Sequence, residues 1–335
     1  MTHTLRVSND LFFSLFGYYP VPSVERMTNF TPSELAAHLK DGLLSFPVTA
    51  FDAEGEFDEA AYREHVAWQA SYDVGGLFAA GGTGEGFSLT PEENARVVRA
   101  AVEASRPEVP VLGSAGGWTK NAVANAVAAE EAGAEGLLVL PPYLTEATQD
   151  GLFNHVSAIA EATKLPLIVY NRANAIYSAE TVGRLADAHE TFIGFKDALG
   201  NIEHLAKVTT LNGDRLFYLG GLPTAETYAL PLLQMGMSTY SSAMFNFVPE
   251  FALEFYADVR RQDRAAVNEK LARFVLPYLD IRDRGNGYGV SIVKAGLQAV
   301  GRPVGGVRAP LENLGEKDLA DLTALIKAAG ASPLL

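Results

Sequence analysis

The sequence of 335 residues contains no cysteine, and this absence excludes several kinds of chemistry. Without thiols the chain can form no disulfide, no thiolate zinc site, no iron–sulfur cluster and no cysteine nucleophile. Long apolar runs are also missing, since no stretch reaches the roughly 18 apolar residues that a membrane-spanning helix needs. We therefore expect neither a membrane protein nor an enzyme that depends on sulfur ligands.

Basic residues are scarce relative to acidic ones. The 26 Lys and Arg against 40 Asp and Glu give a formal net charge of −14. Such a charge argues against nucleic acid or an anionic membrane surface as the partner. A small anionic substrate stays compatible with it, because a pocket can be basic on an acidic protein. The 48% hydrophobic fraction predicts a large core.

Residues 1–28 differ from the rest of the chain. A short apolar run at residues 11–19 follows a single basic residue, Arg6, and precedes Pro20-Val21-Pro22. This pattern lacks the basic segment and the small-residue cleavage site of a signal peptide. We expect residues 1–28 to be a disordered or loosely docked extension, or a start assigned too early, and we expect the protein to be cytoplasmic.

From residue 31 onwards, short apolar runs alternate with amphipathic helical stretches. The stretches beginning Thr31-Pro32-Ser33-Glu34 and Thr90-Pro91-Glu92-Glu93 have the capping-box form of a helix start. The alternation predicts an α/β fold, namely a (β/α)₈ barrel over residues 29–262, followed by a helical subdomain at residues 263–335 packed on the barrel. Eight runs of strand length lie at residues 42–48, 75–80, 109–112, 136–140, 165–170, 192–196, 216–219 and 237–241.

One lysine ends a predicted strand, in Phe192-Ile193-Gly194-Phe195-Lys196. Lysine is rare in strands and is seldom buried without a function. Strand alternation points Ile193 and Phe195 toward the helices, and it points Gly194 and Lys196 into the barrel, where the glycine would leave room for the lysine stem. Desolvation and a neighbouring positive charge would lower the pKa of Lys196 and free its amine to attack a carbonyl. A strand-end lysine that reaches solvent is the structural alternative.

A tyrosine ends the strand before it. If these two strands are neighbours, Tyr170 and Lys196 meet at the carboxyl end of the barrel, where a phenol can relay protons during imine formation. Arg172 follows two residues later and is a candidate clamp for a carboxylate through its planar guanidinium. The alternatives are a packed strand-end tyrosine and a surface ion pair.

A glycine-rich turn follows the second predicted strand, with the sequence Ala-Ala-Gly-Gly-Thr-Gly-Glu-Gly-Phe-Ser at residues 79–88. The backbone N–H groups of Gly82, Thr83 and Gly84 could bind a carboxylate. No Gly-Lys-Ser/Thr sequence follows, which argues against a phosphate-binding loop. An ordinary turn is the structural alternative.

Other polar residues carry less signal. The six histidines show no paired metal spacing and most are expected on helix surfaces, so we expect no metal site. Lys294 also lies in apolar surroundings, but its segment has a helical pattern, which favours an ordinary lysine on a helix face.

Three motifs, taken together, resemble one known superfamily. They are residues 81–85 (Gly-Gly-Thr-Gly-Glu), 170–171 (Tyr-Asn) and 194–197 (Gly-Phe-Lys-Asp). In this order they resemble the class I Schiff-base lyases related to dihydrodipicolinate synthase and N-acetylneuraminate lyase. Within that superfamily, residues 41–49, 81–88 and 170–172 are most similar to the 5-dehydro-4-deoxyglucarate dehydratases.

The resemblance implies an eight-stranded barrel with added C-terminal helices, in a homo-oligomer that is often a tetramer. It implies that Lys196 is the Schiff-base lysine and Tyr170 the catalytic tyrosine. No metal or cofactor is implied, because a protonated imine supplies the electrophile. The implied substrate is 5-dehydro-4-deoxy-D-glucarate, a dicarboxylic sugar acid that is converted to 2,5-dioxopentanoate, CO₂ and water. Ser242 and Asn246, in the loop after the eighth strand, are further substrate-binding candidates.

Departures from the synthase pattern argue against synthase activity. Gly82 stands where the synthases have the first of two threonines, and Leu144 where they have a second tyrosine, so the synthase's hydroxyl relay is incomplete. Arg172 suits a substrate with a second carboxylate. Two alternatives stay open: an aldolase of the same superfamily that releases pyruvate from a 2-keto-3-deoxy sugar acid, and a non-catalytic barrel that binds a sugar acid.

Overall fold

The computed structural model describes residues 30–142 and 146–332, so the predicted extension at residues 1–28 and Leu144 lie outside the described residues. Eight parallel strands close into a barrel in chain order, with Leu44 of the first strand paired with Ser241 of the last. The predicted (β/α)₈ fold is therefore confirmed. The strands are β1 (Leu44–Ser45), β2 (Gly76–Phe78), β3 (Val111–Ala115), β4 (Gly136–Val139), β5 (Leu167–Asn171), β6 (Phe192–Asp197), β7 (Phe217–Gly220) and β8 (Met237–Ser242).

The helices surround the barrel and follow its strands. Both predicted capping boxes are confirmed, one between Thr31 and Glu34 and the other between Thr90 and Glu93. The α-helices of the described residues are α1 (Pro32–Asp41), α2 (Glu59–Ala70), α3 (Pro91–Ala104), α4 (Thr119–Glu131), α5 (Gln149–Ala162), α6 (Ala179–Ala188), α7 (Ile202–Asn212), α8 (Glu226–Leu233), α9 (Pro249–Arg260), α10 (Arg264–Lys270), α11 (Leu276–Arg282), α12 (Tyr288–Ala299) and α13 (Glu316–Ala328).

Helix α1 closes the amino end of the barrel. Its Leu35 and Leu39 are fully buried among the side chains that fill the barrel. A Cβ on Gly76, at the start of β2, would lie 2.7 Å from Leu39, and one on Gly136, at the start of β4, would lie 3.1 Å from Leu35. The interior is thus packed from the amino end, which leaves the carboxyl end for a functional site.

Strand alternation sorts the buried side chains into two clusters. One lies between the strands and the helices, and the other fills the barrel. Parallel strands that pair in register point paired residues to the same face, so Ser114 (paired with Leu138) and Ser241 (paired with Leu44) face the interior. At the carboxyl end this interior face includes Phe46, Ser114, Tyr170, Lys196 and Ser241.

An extra residue in β6 changes part of the predicted alternation. The pairing between β5 and β6 shifts at Ile193, so this side chain lies inside the barrel, and the prediction that it faces the helices is wrong. Phe195 and Lys196 keep their predicted faces. Gly194 does not make room for the lysine, because a Cβ there would lie 2.5 Å from the ring of Phe217.

The chain after β8 is mostly helical, and a π-helical turn at Leu271–Val275 joins α10 to α11. Gly296 lets α12 approach the segment after β8, since a Cβ there would lie 2.6 Å from the ring of Phe247. The predicted division between residues 262 and 263 falls between α9 and α10, and it stays an interpretation. Within residues 30–142 and 146–332, no helix is long and apolar enough to cross a membrane.

Candidate active site

Lys196 projects into the carboxyl end of the barrel. Its side chain lies between two aromatic rings, with Nζ 3.7 Å from the centroid of the Phe46 ring and 4.7 Å from that of Tyr170. The residue is only 4% exposed. Gly221, just after β7, makes the necessary space, because a Cβ there would lie 2.5 Å from Cε of Lys196. Sequence reasoning assigned this space to Gly194 and missed Gly221.

The surroundings of Lys196 favour a neutral amine. Burial holds the pKa of Lys196 well below its usual value, and the positive charge of Arg172 lowers it further. No carboxylate of the described residues pairs with this lysine to oppose the shift. Both causes match the prediction made from the strand-end position. A lowered pKa increases the unprotonated fraction of the amine, and the unprotonated amine is a nucleophile for a carbonyl.

Tyr170 is the neighbour of Lys196 on β5. The two residues are paired in the sheet, so their side chains emerge side by side. The phenol donates a hydrogen bond to the carbonyl oxygen of Gly221 at 3.2 Å. Burial raises the pKa of Tyr170, although Arg172 opposes this effect, so the phenol is protonated at neutral pH. Arg172 is exposed at the rim, with its Cζ 5.9 Å from the centre of the Tyr170 ring.

The next residue pair along these strands holds the loops in place. The Asn171 amide donates to Asp197 at 2.7 Å and accepts from the backbone N–H of Tyr177. The other carboxylate oxygen of Asp197 accepts from the backbone N–H groups of Leu199 and Gly200. The loops that follow β5 and β6 are therefore tied to each other directly beyond Tyr170 and Lys196.

The glycine-rich turn presents unused N–H groups. The amides of Glu85 and Gly86 bond within the turn, to the carbonyls of Gly82 and Gly81. Those of Gly82, Thr83 and Gly84 have no acceptor among the described residues. Three successive free amides are the arrangement that binds an anion. The turn also borders the lysine, because a Cβ on Gly81 would lie 2.5 Å from the same Phe46 ring that Lys196 contacts.

The turn is held in an unfavourable backbone conformation. Ala80 and Glu85, at its two ends, have φ values of 53° and 54°, in the left-handed region that costs roughly 1 kcal/mol or more for residues with a Cβ. The ends approach each other so closely that a Cβ on Gly86 would lie 2.0 Å from the carbonyl oxygen of Ala80. Contacts from outside the turn must therefore stabilise it.

The side chain of Glu85, which is fully buried, makes those contacts with residues outside the turn. Nζ of Lys294, on α12, lies 2.7 Å from one carboxylate oxygen, and the backbone N–H of Arg308 donates to the other at 3.0 Å. Lys294 also donates to the carbonyl of Gly306 at 2.6 Å. The prediction of an ordinary lysine on the face of α12 is therefore wrong: burial lowers its pKa, and the Glu85 charge opposes that effect.

Ser242 has partners other than those predicted. It lies on the helix-facing side of β8, where its hydroxyl donates to the buried Glu226 of α8 and accepts from the backbone N–H of Phe245. Glu226 also lines a groove of about 480 Å³ between α8 and α10, outside the barrel mouth. Pairing shifts between β7 and β8, which places Ser241 rather than Ser242 on the interior face. The predicted substrate contact of Ser242 has no support in this geometry.

Asn246 is likewise used by the protein itself. Its amide oxygen accepts from the backbone N–H of Val48 at 3.0 Å, and its amide nitrogen donates to the carbonyl of Phe46 at 3.1 Å. Its oxygen also lies within hydrogen-bond distance of the side chains of His65 and Gln69, on α2. Asn246 thus fixes the segment that carries Phe46. A direct contact of Asn246 with substrate stays a prediction, and both polar atoms of its side chain already bond to the protein.

His65 is not the surface histidine that the sequence favoured. It is buried, and burial lowers its pKa to about 4, so it is neutral at physiological pH. Among the described residues, no three His, Asp or Glu side chains are grouped as they would be around a metal ion.

Comparison with known proteins gives the family. The model of the dihydrodipicolinate synthetase family matches residues 39–329, which is most of the chain. The chain belongs to this family. This family agrees with the resemblance to dihydrodipicolinate synthase that the three sequence motifs indicated.

Among curated members of the family, the chain is 71% identical over 305 residues to the "Probable 5-dehydro-4-deoxyglucarate dehydratase" of Corynebacterium glutamicum (strain ATCC 13032), with coverage of 91% of this chain and 96% of that one. It is 70% identical over 300 residues to a protein of the same name from Arthrobacter sp. (strain FB24), with coverage of 90% and 99%. Both of these relatives are therefore named as dehydratases and not as synthases.

Solved structures of the family share the fold. Dihydrodipicolinate synthase from Bacillus clausii has a TM-score of 0.80 at 26% identity, covering 88% of this chain and 98% of that one. YagE from E. coli K12, solved in complex with pyruvate, has a TM-score of 0.78 at 25% identity, covering 87% and 99%.

Proposed function

We propose that the protein is a lyase that converts 5-dehydro-4-deoxy-D-glucarate to 2,5-dioxopentanoate, CO₂ and water through an imine on Lys196. The observation that carries this proposal is the buried amine of Lys196, whose pKa is lowered and which lies against the same Phe46 ring as Gly81, the residue that precedes three free backbone amides. The names of the relatives at 70–71% identity support the substrate. The pyruvate complex of YagE supports a site for 2-oxo acids.

The first step is binding and imine formation. The amides of Gly82, Thr83 and Gly84 bind the carboxylate next to the ketone, which directs the ketone carbon toward Nζ of Lys196. The neutral amine attacks this carbon, the carbonyl oxygen leaves as water, and a protonated imine remains. Because the imine is positively charged, it makes the neighbouring CH₂ group acidic.

The second step removes water and then CO₂. The phenol of Tyr170 donates a proton to the β-hydroxyl group as it leaves, while a water molecule that the phenol orients takes a proton from the CH₂ group. The resulting conjugated imine accepts the electron pair released when the distal carboxylate departs as CO₂. Protonation and hydrolysis then free 2,5-dioxopentanoate and regenerate the amine of Lys196.

The distal carboxylate lies toward the rim in this arrangement. Arg172 is exposed there, beside Tyr170, and its guanidinium can bind that carboxylate. Ser241, on the interior face of β8, replaces Ser242 as the serine that we place near the substrate hydroxyls. We further propose that the protein acts in the cytoplasm as a homo-oligomer, as the resemblance implies.

The test is an assay with the purified full-length chain and 5-dehydro-4-deoxy-D-glucarate. We expect equal amounts of CO₂ and 2,5-dioxopentanoate, and borohydride should leave one covalent label, on the peptide that contains Lys196. Release of pyruvate instead of CO₂ would identify an aldolase. Binding of the sugar acid with neither turnover nor label at Lys196 would contradict the imine mechanism and favour a binding protein.

A further inference from the structure

Lys294 is a second buried lysine near the barrel mouth, and the proposed mechanism does not use it. It lies on α12, in a part of the chain that contributes no strand to the barrel. It is nevertheless only 3% exposed, and its amine reaches Glu85 in the glycine-rich turn. A charged group is held in such a position only where its partners are well placed.

The ammonium group of Lys294 has three neighbours. Nζ lies 2.7 Å from a carboxylate oxygen of Glu85, donates to the Gly306 carbonyl at 2.6 Å, and lies 4.3 Å from the centre of the Phe51 ring. The guanidinium of Arg308 stacks on the same ring at 4.2 Å. The amine therefore links Glu85 to the segment that follows α12.

Glu85 transmits this restraint to the N–H groups of the turn. It immediately follows Gly82, Thr83 and Gly84, whose amides are free, and it has the left-handed conformation that the turn requires. Its carboxylate, at 0% exposure, is bound by Lys294 and by the Arg308 backbone. Without Lys294 the buried carboxylate would lack its counter-charge, and Glu85 would move toward solvent, taking the turn with it.

We propose that Lys294 is a positioning residue for substrate recognition, which acts through Glu85 to hold the free amides of the turn in the geometry that binds the carboxylate beside the reacting ketone. This inference rests on the proposed function, because it assumes that the carboxylate of a 2-oxo acid binds at the turn while Lys196 forms the imine. Lys294 touches neither the substrate nor the reacting carbon. Its removal should therefore weaken recognition of the carboxylate more than it slows imine formation.

The experiment compares two probes that differ only in the carboxylate. Pyruvate carries it, and pyruvamide replaces it with a neutral amide. The rate of borohydride trapping on Lys196 is measured against the concentration of each probe, which gives a half-saturation concentration and a limiting rate. The unaltered protein should saturate at a lower concentration of pyruvate than of pyruvamide.

In Lys294→Met we expect the half-saturation concentration for pyruvate to rise about tenfold or more, the loss typical of weakened hydrogen bonds to a charged group. The pyruvamide value and both limiting rates should change little. The matched control is Lys270→Met, which removes a lysine from the buried carboxylate of Asp258, 2.7 Å away, at a place remote in sequence from the turn. It should leave the preference for pyruvate unchanged.

If Lys294→Met does not fold, the double variant Glu85→Gln with Lys294→Met removes both buried charges together and should show the same loss of preference. A folded variant of either kind that keeps the unaltered ratio between the probes would overturn this inference alone. Equal loss of preference in Lys270→Met would also overturn it. Absence of any label on Lys196 in the unaltered protein would instead overturn the proposed function, and the inference with it.

Discussion

Two buried lysines lie near the barrel mouth, and the charges that act on them have opposite signs. Lys196, on β6, is buried against Phe46 and Tyr170, and the charge that shifts its pKa is the positive Arg172. Lys294, on α12, is buried against Phe51 and pairs with Glu85. Burial alone lowers the pKa of both amines, so the neighbouring charge decides their use: a repelled amine becomes a nucleophile, and a paired one becomes a structural cation.

Removing the nucleophile, Lys196, should have the largest effect on activity. Lys196→Ala should lower turnover by on the order of 10⁴-fold or more, because the amine of Lys294, the other buried lysine that we place near the mouth, is held by Glu85 and Gly306. The measurements are CO₂ release and borohydride labelling. Lys207→Ala is the matched control, since Lys207 is a surface lysine paired with Glu203, and it should keep full activity. Substantial turnover by Lys196→Ala would contradict the mechanism.

Removing the phenol separates proton transfer from amine attack. Tyr170→Phe should lower kcat by about 10³-fold, the range for loss of an acid–base group, while pyruvate still labels Lys196. Single-turnover CO₂ release and trapping rates would be compared in the same preparation. If labelling and turnover fell by the same factor, Tyr170 would serve imine formation and not the later elimination.

Stability should respond to the two lysines with opposite signs. Lys294→Met removes the counter-charge of the Glu85 carboxylate, which then moves toward solvent and gives up the buried contacts of the turn, so it should lower the free energy of unfolding by about 3 kcal/mol. Lys196→Met removes a buried amine that has no counter-charge, so it should raise that free energy at neutral pH. Urea unfolding of both variants at pH 7 checks the signs, and a shift in the same direction would refute the comparison.

The pH dependence follows from the direction of the Lys196 shift. Its pKa is lower in the folded protein than the usual 10.5, so between these two pKa values the unfolded chain binds more protons. Stability of the unaltered protein therefore rises with pH in this window. The gain from Lys196→Met should be largest below the window and should shrink as the pH approaches 10.5.

How far could these features be predicted? The barrel, the two capping boxes and the inward position of Lys196 follow from local sequence, because periodicity and capping act over a few residues. The orientation of Ile193 and the identity of the inward serine on β8 did not follow, since one extra residue in a strand changes which face the next side chain takes. Such a shift depends on the partner strand and leaves no pattern in the strand itself.

The contacts that support the glycine-rich turn could not be predicted from local sequence either. Glu85 and the Arg308 amide that binds it are 223 residues apart, and neither position carries a signal of the other. Lys294 did stand out in an apolar run, but a helical pattern made a solvent-facing lysine the better interpretation. Gly221 was missed for the same reason, because the side chain it accommodates belongs to another strand.

A smaller change tests how the position of Lys196 is fixed. Gly221→Ala would place a Cβ 2.5 Å from Cε of Lys196, so the side chain must move. A displacement of roughly 1 Å commonly lowers rates by about 10²-fold. We expect that loss in kcat, with the fold intact by circular dichroism. Gly315→Ala, where a Cβ meets nothing within 4 Å and φ is −66°, is the control for adding a methyl group away from the site. Loss of the same size there would show that the effect is not specific to Gly221.

The smallest expected effect concerns the charge of Arg172. Arg172→Gln removes the positive neighbour, so the pKa of Lys196 should rise and imine formation should need a higher pH. Pyruvamide with cyanoborohydride across a pH series measures this without a carboxylate contact. Added salt should move the unaltered protein in the same direction, because Arg172 is exposed. A profile that Arg172→Gln leaves in place would assign the low pKa of Lys196 to burial alone.

The long separation between Glu85 and Arg308 also has a consequence for synthesis. At about 5–20 residues per second, a ribosome needs roughly 10–45 s to pass from one to the other. Lys196 is made about half-way through that interval, so during its second half the nascent chain contains the reactive amine of Lys196 while the turn still lacks its contact with Arg308. The nucleophile is therefore made before the contacts that fix the carboxylate-binding turn. A nascent chain halted before α12 would contain the Lys196 amine but would lack the fixed turn that selects 2-oxo acids by their carboxylate.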